Sequence, residues 1–189
     1  MDFLKKNWVK LVGMLLFMTI GVVALIASIG AMRSVSALGD VNDAVLTVVG
    51  VDRDITRSQF MAGLFTYLAI FVSSLAIVTV LVLCMLGKCK KCRNIILVVG
   101  SVVALALFIT AVGTGSEYLK SLSDARDVGP MPPGMETFRS FSISAARTAY
   151  IVQIAQTLTF AIVFAVLPLI YGVKKLVCKG NCDAKGEVA

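Results

Sequence analysis

Five cysteines are the residues of this chain whose type and spacing best suit chemistry. Cys89 and Cys92 form a C-x-x-C pair, and Cys178 and Cys182 are separated by three residues that include Gly180. Two such pairs supply four thiolates, a set that binds structural Zn²⁺ tetrahedrally, and neighbouring lysines favour the thiolate form. The spacing therefore predicts a zinc site formed by Cys89, Cys92, Cys178 and Cys182.

Two other roles for these thiols stay open. Cysteines beside a membrane are sites of reversible acylation, and they are also found as ordinary reduced thiols. The fifth cysteine, Cys84, lies close to the C-x-x-C pair in the sequence. All three interpretations depend on the segments that position the cysteines.

Four long stretches without Asp, Glu, Lys or Arg provide that positioning. A hydrocarbon core about 30 Å thick requires roughly 20 apolar residues per helix, and lipid-exposed backbone must satisfy its own hydrogen bonds. The chain is 58% hydrophobic and has a mean hydropathy of +0.92. The sequence predicts an all-α integral membrane protein, an antiparallel four-helix bundle forming a single membrane domain over residues 1–189, with spans at about 11–32, 58–87, 94–116 and 148–173.

The basic residues predict the orientation of the spans, because Lys and Arg near span ends favour the cytoplasm. Eleven of the 18 lie in the two tails and in the inner loop 88–93, where Lys88, Lys90, Lys91 and Arg93 are clustered. The other seven are spread over the outer loops 33–57 and 117–147, which also carry eight acidic residues. Both termini are therefore predicted to be cytoplasmic, most simply at the plasma membrane.

The excess of positive charge has a predicted partner in the bilayer itself. Basic residues at span ends meet anionic lipid headgroups, each with a gain of about 1 kcal/mol. This topology accounts for a net charge of +7 without a nucleic-acid partner. A second copy of the chain, or another membrane protein, is the other predicted partner, because small residues spaced four apart let helices approach closely.

Polar side chains within the predicted spans are concentrated in the fourth. Gln153, Gln156 and Thr157 follow one another at i, i+3 and i+4, which places them near one helical face. Hydrogen bonds between helices are one interpretation of this face, and the lining of a pore is the other. The chain has no His and no carboxylate in the four stretches, so acid–base catalysis is not predicted.

The predicted layout resembles that of claudin-type and tetraspanin-type membrane proteins, with inner termini, two outer loops and a tight inner turn. Those families crosslink their outer loops through cysteines, whereas loops 33–57 and 117–147 contain none. The C-x-x-C pair is similar to that of quinone-linked four-helix thiol oxidoreductases. In that family the pair works on the oxidising face, whereas the charge distribution places Cys89 and Cys92 on the reducing face.

Three classes of function follow as predictions. The first is a non-enzymatic multi-pass membrane protein that acts as a structural or accessory subunit. The second is an oligomeric pore lined by the Gln153 and Gln156 face. The third is a membrane thiol redox protein that uses the inner cysteines.

Overall fold

The computed structural model describes residues 2–39, 53–87, 90–124 and 135–183, and these are helical except for a turn at Leu86 and Gly87. The helices, in chain order, are α1 (Asp2–Gly39), α2 (Arg53–Met85), α3 (Lys90–Asp124), α4 (Met135–Ala161), a π-helical turn (Ile162–Val166) and α5 (Leu167–Asp183). Because α4, the π turn and α5 follow one another without a gap, we call them together the fourth span.

Four helical segments are long and apolar enough to cross a membrane, as the sequence predicts. They are Asn7–Ala37, Arg57–Met85, Lys91–Lys120 and Arg147–Val177, each of 29 to 31 residues. They are rich in Val, Ile and Leu, and helical hydrogen bonds pair the backbone groups for which lipid offers no partner. Residues 44–51, whose apolar and β-branched side chains predict a short strand or a packed loop, lie outside the described residues.

A glycine ends α2 and fixes the tight connection to α3. Gly87 has a φ of +66°, the left-handed conformation that glycine adopts without the cost a side chain would add. The N–H of Leu86 donates to the Val82 carbonyl at 3.0 Å and completes the last turn of the helix. Since α3 already begins at Lys90, the last four residues of the predicted inner loop 88–93 form the first turn of a helix.

The chain forms two compact units, of which the first comprises Met1–Ile26, Leu68–Leu107 and Phe160–Ala189. In this unit α1 packs on α2, where a Cβ at Gly21 would lie 3.4 Å from the Ser74 Cβ. Gly100 of α3 packs directly on Ala76 of α2 and leaves no room for a side chain. In α5, Gly172 packs against Val98 of α3. Small residues thus bring the helices of this unit into close contact.

The second unit comprises Ala27–Tyr67 and Phe108–Thr159. Tyr118 of α3 and Tyr150 of α4 are both buried there, with ring centroids 4.7 Å apart and planes inclined by 57°. Leu119 and Ile154 pack against the pair. An aromatic pair of this kind contributes about 0.5–1.5 kcal/mol beyond the area that it buries, so it is a principal contact between α3 and α4.

Candidate functional site

The described cysteines lie at the two sides of the turn between α2 and α3. Cys84 is half-buried near the end of α2, and Cys92 is exposed on the first turn of α3. Cys89 lies outside the described residues, whereas Cys178 and Cys182 lie on the last turns of α5. Within the described part of the chain, no cluster of three or more His, Cys, Asp or Glu side chains is placed to hold a metal ion. The zinc site at the four cysteines therefore stays a prediction.

The structure shows a contact of Cys84 that the spacing of the cysteines does not suggest. Arg93 Nη1 donates a hydrogen bond to Cys84 Sγ at 2.7 Å. Arg93 enters the sequence argument only as one of the charges that set the orientation. The two residues are nine apart and flank the Gly87 turn, and that proximity is the signal by which their contact could have been found. The bond holds the end of α2 to the beginning of α3.

The polar residues of the fourth span do not share one environment, although the sequence places them near one face. Thr157 is buried, and its Oγ1 lies 3.3 Å from Thr66 Oγ1 of α2. Gln153 is half-buried, with its Nε2 3.7 Å from where a Cβ on Gly63 would lie. Gln156 is exposed. Each residue advances by about 100° around a helix, which is enough to separate Gln156 from Thr157.

Each threonine hydroxyl also has an acceptor within its own helix. Thr66 Oγ1 bonds to the Ala62 carbonyl and Thr157 Oγ1 to the Gln153 carbonyl, each at 2.9 Å. A hydroxyl carries one proton and two acceptor lone pairs, so the hydroxyl that donates across the helix interface does so in place of the bond to its own helix, and the other hydroxyl accepts. The pair is a polar contact between α2 and α4 that costs neither helix its backbone hydrogen bonds.

A second polar contact in the fourth span compensates for a proline. Pro168 has no N–H and cannot donate to the carbonyl of Phe164, four residues earlier. Buried Ser73 of α2 donates its Oγ proton to that carbonyl. The helix widens into the π turn over Ile162–Val166, where the Leu167 N–H bonds to the Ile162 carbonyl. A proline inside a helix predicts a kink, and the structure shows how the donor that Pro168 lacks is replaced.

The ring of Phe164 adds an apolar contact at the same place. It meets Phe17 of α1 edge-on, with the centroids 6.3 Å apart, and Phe160 of its own helix at 6.2 Å. Phe164 thus joins α1 through its side chain and α2 through its carbonyl. Polar and apolar contacts at this residue both serve the packing of the helices.

Comparisons with protein-family models, with curated proteins and with solved structures find no significant match to this chain.

Proposed function

We propose that this chain is a non-enzymatic multi-pass membrane protein that serves as a structural or accessory subunit and binds another protein within the bilayer. The observation that carries the proposal is the position of Gln156, which is exposed in a membrane-length helix. Its amide has two donors and one acceptor, for which lipid tails offer no partners. A second membrane helix does offer them, because polar side chains hydrogen-bond across helix interfaces in membranes.

The buried polar side chains support this proposal by their use in packing. The Thr66 and Thr157 hydroxyls meet each other, and Ser73 bonds to the Phe164 carbonyl. Polar groups kept for transport or proton transfer line a path and are usually ionisable. Here residues 11–32, 58–87, 94–116 and 148–173 carry no Asp, Glu, Lys or Arg. We therefore assign the buried polar groups to the stability of the helix assembly.

In the proposed topology the four spans form an antiparallel bundle with both termini in the cytoplasm of the cell. The arrangement is supported by the clustering of Lys88, Lys90, Lys91 and Arg93 at the tight turn between α2 and α3 and by the basic residues of both tails. The outer segments around Asp40–Asp54 and Asp124–Glu136 are acidic by comparison. The bundle places Gln156 within the bilayer on the surface of the fourth span.

The mass of the detergent-solubilised protein tests the proposal. We expect a mass above the 20.1 kDa of one chain, contributed by a second copy or by a co-purifying membrane protein. Gln156→Leu removes the amide and should shift the population towards the single chain. Thr159→Val is the matched control: Thr159 is exposed on the same helix, but its hydroxyl donates to the Ala155 carbonyl at 2.8 Å. The proposal would be contradicted if both the wild-type protein and the Gln156→Leu variant were found only as single chains.

An oligomeric pore is the second candidate, and the same exposed amide favours it. In a closed ring of chains, Gln156 from each copy would line the central channel. Conductance measured in liposomes separates the two candidates. An accessory subunit leaves the ion flux at the level of empty vesicles, whereas a pore raises it and loses most of the increase on Gln156→Leu.

A further inference from the structure

An open apolar groove runs between α2 and α3 in the first unit. It has a volume of about 390 Å³, and its lining comes only from these two helices, with Leu75, Ala76 and Thr79 on α2 and Ile95, Val99 and Val103 on α3. Leu75 and Val99 are 55% and 56% exposed, so the groove faces outward rather than into the protein. Its floor is the close contact of Gly100 with Ala76. Neither residue has a side chain that is large enough to fill the groove above this contact.

The groove offers a ligand almost no polar group. Thr79 supplies its one hydroxyl, and that hydroxyl donates to the Leu75 carbonyl of its own helix at 2.8 Å. From Ile95 to Val103 the groove is about 12 Å long, at about 1.5 Å per helical residue. One leaflet of a bilayer has a hydrocarbon depth of about 15 Å, half of the core. The groove therefore fits an acyl chain along most of one leaflet.

Positive charge stands at one end of this groove. Lys91 is exposed and lies one helical turn before Ile95, which is about 6 Å along the axis of α3. Arg93 lies between them and is held by its bond to Cys84. On α2 and α3, the two helices that line the groove, the acidic residues nearest to this turn are Asp54 and Glu117, both far along their helices. A ligand with an acyl chain in the groove thus places its head group beside two cations.

We propose that this groove is a binding site for one anionic phospholipid, with an acyl chain between α2 and α3 and the phosphate at Lys91 and Arg93. The site rests on the proposed function in one respect, that the spans lie in a bilayer, and it adds a discrete lipid ligand to that function. Charge complementarity selects the anionic head group, since each basic residue near an anionic surface contributes about 1 kcal/mol, or about fivefold in affinity.

Native mass spectrometry of the full chain in detergent tests this site. Phosphatidylglycerol and phosphatidylcholine with the same acyl chains are titrated separately, and the affinity for the first bound lipid is compared. We expect tighter binding of phosphatidylglycerol, which Lys91→Gln should weaken about fivefold while the affinity for phosphatidylcholine stays unchanged. Lys174→Gln is the matched control, because Lys174 is an exposed lysine on α5 outside the groove.

A second pair of variants tests the acyl chain. Val99→Trp fills the groove and should weaken binding of both lipids, whereas Val12→Trp should not, since Val12 is similarly exposed (49%) on α1 and does not line the groove. Lys91→Gln changes an exposed side chain, so it decides the matter even if Val99→Trp fails to fold.

Three outcomes would overturn the lipid site. They are equal affinity for the two lipids, equal effects of Lys91→Gln and Lys174→Gln, and an added mass that survives denaturation, which would indicate a covalently acylated cysteine instead. The mass of the complex with the partner protein, which tests the proposed function, is measured independently of the lipid affinity. Loss of lipid selectivity with that mass unchanged removes the lipid site and leaves the proposed function standing.

Discussion

The hydroxyl of Tyr150 in α4 lies against Gly115 of α3 and occupies the space that a Cβ at Gly115 would need. The tyrosine is 1% exposed, and its ring is held against Tyr118 at a centroid distance of 4.7 Å. The glycine therefore sets how closely the two helices approach. A side chain at position 115 would therefore have to displace the buried Tyr150.

Gly115→Ala should lower the stability of the protein by about 1–3 kcal/mol, the usual cost of overpacking a filled interior. Gly113→Ala is the control on the same helix, because a Cβ at Gly113 meets nothing within 4 Å. Thermal unfolding in detergent measures both. In a Tyr150→Leu background the cost of Gly115→Ala should largely disappear, since leucine ends short of the glycine. Equal melting of the two alanine variants would show that Tyr150 moves away freely.

The adjacent serines of α2 should respond in opposite ways to the same substitution. Ser73 and Ser74 are 2% and 1% exposed. Ser73 bonds to the Phe164 carbonyl, whereas the Ser74 hydroxyl has no hydrogen-bond partner among the described residues. Ser73→Ala leaves that carbonyl short of a donor and should cost about 1 kcal/mol. Ser74→Ala removes an unsatisfied buried hydroxyl and should be neutral or stabilising. Thermal unfolding of the two variants is the measurement, and equal losses would refute the assignment.

The orientation of the chain is tested with a membrane-impermeant maleimide on intact cells. A cysteine introduced at Ser123, on the predicted outer side, should be labelled. One at Ala184 should be labelled only after the cells are permeabilised, because the basic tail is retained in the cytoplasm. The native cysteines are all predicted to lie inside and serve as the unlabelled background. Labelling with the reverse pattern would invert the topology and every compartment assigned from it.

The zinc site predicted at Cys89, Cys92, Cys178 and Cys182 requires about one equivalent of metal in protein purified without chelators. Lowering the pH should release it, because the ligands bind only as thiolates and protonation competes with the metal. Elemental analysis gives the metal content. Cys92→Ser should lower it, whereas Cys84→Ser is the control, since Cys84 lies outside the predicted set. Less than about a tenth of an equivalent in the wild type would remove the metal site.

The four membrane-length helices could be predicted from the sequence because length and lack of charge are properties of each segment alone. The environments of Gln156 and Thr157 could not, since one step around the helix separates an exposed side chain from a buried one. Which side is buried depends on the neighbouring helix, here on Thr66, 91 residues away in the chain. The residues of the bond from Ser73 to Phe164 are also 91 residues apart in the chain, so no local sequence pattern predicts it.

The first residue of α3 could not be predicted from the sequence either, for a different reason. Lysine and arginine are good helix formers, so nothing in the composition of the inner turn decides whether Lys90–Arg93 continues a loop or begins a helix. The structure starts the helix at Lys90, which places Arg93 within reach of Cys84 and Lys91 at the end of the apolar groove between α2 and α3. The ends of helices, where the candidate ligands and charges stand, are thus the least predictable part of this chain.

The number of residues in the π turn at Ile162–Val166 determines which face of α5 is turned towards α3. A π turn holds more residues than an α-helical turn, and each α-helical residue corresponds to about 100° of rotation. Deleting one residue from this turn would return it to the α-helical repeat and rotate everything after it by about that angle. Gly172 would leave its close contact with Val98, and a neighbour with a side chain would face α3 instead. A change in the number of residues in this turn therefore alters the packing of the whole of α5, whereas a substitution changes one side chain.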